Sequence, residues 1–209
     1  MPSDFNKDHV WEKAQKLDKE RKKVESRIKE GIKANDKALV TKLKKSQTQD
    51  RVKLTGYYAE IIMHDVAFAD AHEVPNKLWM LQHVYLNNLR SGVQKKKQPA
   101  EAKQKAVALF GEKLAECAKF LEFLIGDAEK KMDSSALSQS SAAPSPASPY
   151  NSSEALLMSQ NSVPPFAKLP TSPLSKVLYK LYMGLGDVYR YESSYLKPPD
   201  NGKTDWSQS

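Results

Sequence analysis

The chain has 209 residues, with 33 Lys and Arg against 25 Asp and Glu, a net charge of +8 and 40% hydrophobic residues. That is enough for one domain with tails, and the absence of any apolar run of 18 residues or more argues against a membrane-spanning helix. The polar start Met1-Pro2-Ser3-Asp4 lacks a signal-peptide core, and a single cysteine, Cys117, forbids an intrachain disulfide; both lead to the expectation of a reducing compartment, the cytoplasm with the nucleus as a second location.

In chain order, residues 4–34 are predicted as a helix. Val10, Leu17 and Val24 recur every seven residues with Ala14 and Ile28 in the offset positions, a narrow stripe that requires a partner helix. Asn35-Asp36 supplies a break and a new N-cap. A second helix is expected over 37–72, with Gly56 and the polar stretch 45–50 as candidate interruptions and Leu54 to Phe68 as its apolar part. Pro75 suits the first turn of a third helix over 75–94, with Leu78, Trp79, Leu81, Tyr85 and Leu89 facing inward. Pro99 opens a fourth over 99–132, carrying Val107, Phe110, Leu114, Cys117, Leu121 and Leu124. Residues 133–172 are dominated by Ser, Ala and Pro and are nearly free of charge. Such a segment buries too little apolar area to offset chain entropy, so a disordered loop is expected. Pro173 opens a fifth helix over 173–196, and Pro198-Pro199 ends it. Leu178, Leu181, Tyr182, Leu185 and Val188 are expected to form its buried face.

No strand-type alternation occurs, so the fold class is all-α, an antiparallel helical bundle. The organisation reads as a basic helical extension over 1–50, core helices over 51–132, the loop over 133–172, a closing helix over 173–197 and a tail over 198–209. Residues 1–53 hold 16 Lys and Arg against 9 Asp and Glu. This imbalance fits either a solvated charged helix or contact with nucleic acid. The four His residues show no metal-ligand spacing, and there is neither a Gly-rich phosphate loop nor a nucleophile elbow. Cys117 lies in phase with Leu114, Leu121 and Leu124 and reads as a buried structural thiol. The chain is therefore not expected to be an enzyme, nor to need a cofactor or metal.

Two segments carry more. One runs from Tyr58 through Ile61, Ile62, Asp65 and Phe68 to Leu78-Trp79 and Tyr85-Leu86-Asn87. The other is Leu185-Gly186-Asp187-Val188-Tyr189-Arg190-Tyr191. Together they resemble the N-terminal domain of the telomerase-activating EST proteins and the SMG proteins of nonsense-mediated mRNA decay. The resemblance covers residues 50–95 and 174–197. It implies a 14-3-3-like fold followed by tetratricopeptide-like repeats. With Ser209 some 20 residues past the Arg190-Tyr191 pair, the domain is expected to be incomplete at its C-terminal end.

The resemblance also implies a phosphoserine site. Arg190 and Tyr191 match the Arg-Tyr pair that holds the phosphate, and Asn87 matches the residue that holds the ligand backbone. The family's Lys falls on Leu86, or on Val84 when counted from Trp79, and neither is basic. A lost charge-assisted contact weakens binding by roughly 1.5–3 kcal/mol. Arg90, one turn beyond Leu86, is a substitute cation or a solvated helix-end Arg. Asp187 sits three residues before Arg190, where its carboxylate can orient the guanidinium.

The function so implied is that of a phosphopeptide-binding adaptor of nonsense-mediated decay, recruiting a phosphorylated decay factor through a Ser-Gln type peptide. A heterodimer with a related family member is the implied assembly. The alternatives are a telomerase- or nucleic-acid-associated EST-like protein acting through its basic N-terminal helices, and a helical heterodimerisation scaffold without phosphate binding.

Overall fold

The computed structural model describes residues 5–95, 97–140 and 171–196. Among them are six helices and no strand: α1 Lys7–Lys33, α2 Lys37–His64, α3 Val66–Ala71, α4 Val74–Val93, α5 Ala100–Ser140 and α6 Pro173–Tyr195. The all-α class read from the sequence is the class observed.

The first two helices form a hairpin. The Asn6 side chain accepts from the His9 N–H and caps α1, and the Asp36 side chain accepts from the Leu39 N–H at 2.9 Å and caps α2. Asn35, between them, adopts φ 56°, a left-handed conformation that Asn tolerates. Gly31 is buried at the closure, where an added Cβ would lie 3.0 Å from Val40 Cγ2. Ala14 and Ile28 are buried, with Val10 and Leu17 half-buried beside the core. The α1 stripe thus finds its partner helix, α2, within the chain.

The second predicted helix, 37–72, is two helices. Asp65 breaks it: at φ −144°, its Oδ1 accepts from the Phe68 N–H at 2.8 Å and starts α3, while its Oδ2 accepts from Lys7 Nζ at 2.7 Å. An Asp that can cap a new helix competes with continuation of the old one. Neither Gly56 nor the stretch 45–50 interrupts α2, so the division placed at residue 50 falls inside a continuous helix. Pro75 does sit in the first turn of α4. The fourth predicted helix overruns its expected end at 132 and reaches Ser140, because Asp133-Ser134-Ser135-Ala136 contains no Pro or Gly to stop it. The remainder of the expected loop, 141–170, lies outside the described residues, as does the tail from 197.

α6 packs against α5, α3 and α4. Ser172 caps it in a capping box with Ser175, and Pro173 occupies its first turn. Its face Val177, Leu178, Leu181, Leu185 and Val188 packs into one core with Leu54, Ile61 and Ile62 of α2 and with Phe110, Leu114, Leu121 and Leu124 of α5. Complete burial of each such side chain contributes about 1.5–3 kcal/mol before entropy is counted.

Candidate functional site

The close approach of α4 and α6 is set at Gly184. An added Cβ there would come within 3.1 Å of Trp79 Cε3 and 3.3 Å of Trp79 Cδ2, so the indole lies directly on the glycine. A row of polar and aromatic groups follows along the same seam. The His83 ring is 5.7 Å from the Trp79 ring and stacks on Tyr191 at 6.2 Å and 22°. The Asn87 amide nitrogen lies 3.1 Å from His83 Nε2. The Tyr191 hydroxyl donates to Asn87 Oδ1 at 3.4 Å, a long bond that an entering acceptor would readily replace. The Arg90 guanidinium lies 5.4 Å from the Tyr191 ring and 5.7 Å from Tyr195, and its buried Nε has no partner. Gln94 Nε2 donates to the Tyr195 hydroxyl at 3.3 Å.

Three of the residues picked from the sequence, Asn87, Arg90 and Tyr191, therefore meet along one seam, the shallow groove between α4 and α6, with Tyr191 itself buried. Arg190 does not join the seam. Its side chain is 68% exposed, and its Nη2 pairs with Asp187 Oδ1 at 2.7 Å, the i, i+3 contact that the spacing allowed. Asp187 is only 25% exposed, so it holds the fork from below while the other donors of Arg190 face solvent at the groove's edge.

The two positions considered for the family's Lys go to different places. Leu86 is 1% exposed and belongs to the core. Val84 is exposed but lies in a separate cleft on the far side of α4, beside Arg21 and Arg51. Neither position can bring a cation to the α4–α6 seam.

The expected burial of Tyr182 is also corrected. It is 48% exposed, and its hydroxyl bonds to Glu129 of α5, as the Tyr189 hydroxyl does to Glu122 at 2.5 Å. These hydrogen bonds push both phenols above the usual tyrosine range. The α6 face they share thus lies across α5 with its polar tips engaged, a periodicity that apolar spacing alone cannot separate from burial.

His83, Trp79, Gly184 and Tyr195 were not singled out from the sequence as groove residues. The available signal was helical phase. His83 is one turn before Asn87, and Tyr195 is one turn after Tyr191.

Among the described residues no group of three or more His, Cys, Asp or Glu is placed to hold a metal ion. Burial pushes the Cys117 thiol up to about 12, so at neutral pH it is a thiol and not a nucleophilic thiolate. The seam thus brings one cation, Arg90, beside the neutral polar groups of His83, Asn87 and Tyr191 and the ring of Tyr195. Comparison of the chain with protein families, with curated proteins and with solved structures finds no match to any of them.

Proposed function

We propose that the chain is a phosphopeptide-binding adaptor, with the phosphate taken at the edge of the α4–α6 groove. The observation that carries this reading is the exposed Arg190 fork, held in place by Asp187. A pre-oriented guanidinium suits the geometry of phosphate oxygens. Tyr191 follows it directly, its hydroxyl bonds to the Asn87 amide, and the Arg90 guanidinium lies 5.4 Å from the Tyr191 ring. Arg90 takes the place of the basic residue that the resembled family has on its third helix. In that reading the partner is a phosphorylated decay factor, the working compartment is the cytoplasm with access to the nucleus, and a related chain supplies a heterodimer.

The test is fluorescence anisotropy with a phospho-Ser-Gln peptide and its unphosphorylated twin. Wild type should bind only the phosphorylated form, and Arg190→Glu should lower affinity at least about tenfold while the helical circular dichroism and unfolding midpoint stay unchanged. Equal binding of both peptides, or full binding by the variant, would remove the phosphate site from this groove.

One observation favours a nucleic-acid reading as a second choice. On the α1–α2 hairpin, Lys13, Lys16, Lys19, Lys23, Arg27, Lys42, Lys44 and Lys45 are all exposed. A steep loss of oligonucleotide affinity with salt would support it.

A further inference from the structure

A second cleft opens between α1 and α4, with α2 as its floor. Arg21, Gln47, Arg51, Val84, Tyr85 and Asn88 line it, and no Asp or Glu does. It shares no residue with the α4–α6 groove.

Arg51 is the informative member. Its guanidinium lies over the Tyr85 ring at 3.7 Å from the centroid, and its Nη1 donates to Gln82 Oε1 at 3.0 Å. Gln82 is itself buried, its Nε2 donates to Thr55 Oγ1 at 2.9 Å, and the Thr55 hydroxyl donates back to the Arg51 carbonyl. That closed ring of hydrogen bonds fixes the guanidinium. Yet its Nε is buried with no acceptor, and among the described residues no carboxylate pairs with Arg51. A cation removed from water without a counter-charge is costly, and an unused donor beside it adds to the cost.

Arg21 supplies a second cation. Its side chain is 17% exposed, and Nε and Nη2 both rest on Asp18 Oδ1 at 3.1 and 3.0 Å. Asp18 is shared with Lys22 at 2.9 Å, and Arg21 Nη1 also reaches Glu25 at 3.8 Å, so Arg21 is a paired cation beside the unpaired Arg51. The cleft encloses about 50 Å³. Since about 10–15 Å³ holds one water, the space suits a group of a few heavy atoms.

We infer that this cleft is an oxyanion site, taking a carboxylate or phosphate group against the Arg51 guanidinium, with the paired Arg21 beside it and the amides of Gln47 and Asn88 as neutral donors. A planar guanidinium backed by an aromatic face and paired with no carboxylate of its own is the arrangement that selects such a group.

The experiment is thermal unfolding of the full chain at constant ionic strength, replacing chloride stepwise by inorganic phosphate or by acetate. Wild type should show a saturable rise in midpoint with at least one of them. A larger rise with phosphate identifies phosphate as the group taken, and an equal or larger rise with acetate identifies carboxylate. Arg51→Met should lose the response, with apparent affinity down about tenfold or more. Val84→Glu keeps the test decisive if Arg51→Met folds poorly. Val84 is 46% exposed at the cleft, so a glutamate there supplies the anion internally, raises the midpoint without added anion and abolishes the response. Arg190→Glu should respond as wild type. No response in wild type across tens of millimolar anion, or an undiminished response in Val84→Glu, overturns the assignment.

Discussion

Leu86 shows how a single residue separates two readings of the same helix. By alignment with the resembled family it stands where a cation belongs; by position it fills the core at 1% exposure. A lysine at 86 would give up leucine burial and place an ammonium in the core. Leu86→Lys should therefore leave any groove affinity unrepaired and lower stability by about 3 kcal/mol or more, measured by urea unfolding. A variant as stable as wild type would mean that α4 rotates to expose position 86. At this scale the sequence was informative wherever residue type alone decides the contact. Asp187 and Arg190, three residues apart, do pair. It was silent on which flank of a helix faces which neighbour, and so His83 and Tyr195 emerged only from the packing of α4 on α6.

Helix boundaries depend on competition between neighbouring elements, and Asp65 is the example. Within an apolar run from Leu54 to Phe68 it reads as one polar residue on a continuing helix. In the structure it ends α2, caps α3 and anchors Lys7 of α1, and the last of these links two segments 58 residues apart. The hydrogen bonds from Lys7 and from the Phe68 N–H hold its carboxyl below the usual aspartate range. Its contribution is thus fully present above the unfolded-state value of about 4 and is lost as pH falls through the lower folded-state value. Asp65→Ala should cost about 1 kcal/mol at pH 7, mostly through the cap, and the gap to wild type should shrink below about pH 4. A pH-independent gap would show that the ion pair with Lys7 contributes nothing. The long α5 teaches the complementary lesson. Composition marked Ser and Ala residues after 132 as loop, yet helix termination needs a stop signal, and none precedes Ser140.

For the whole molecule, the periodic apolar residues of α4, α5 and α6 disclosed the core with few errors, because each stripe meets another stripe in the same chain. The α1 heptad was legible as a stripe but not as to its partner, since α2 and a separate molecule offer it the same kind of surface. Cys117 provides a report on the integrity of the assembled core. It is 6% exposed between other core residues, and its thiol, pushed up to about 12, reacts only when the bundle opens. An aromatic disulfide reagent should label it negligibly in the native protein at pH 7 and stoichiometrically in urea. Rapid native labelling would mean that the α2–α4–α5 packing opens locally.

The distance along the chain between the two walls of the α4–α6 groove has a further consequence. Tyr191 and Asn87 are 104 residues apart. At about 5–20 residues per second on the ribosome, α4 waits roughly 5–20 s for α6 to be made. In that interval Trp79 lacks the glycine it rests on, and the α5 row of Phe110, Leu114, Leu121 and Leu124 lacks the helix that covers it. The nascent chain therefore shows its stickiest surface for most of the time it takes to translate its second half. The α4–α6 seam is complete only when that exposure ends, so any ligand of the seam proposed above would meet only chains that have already passed that interval.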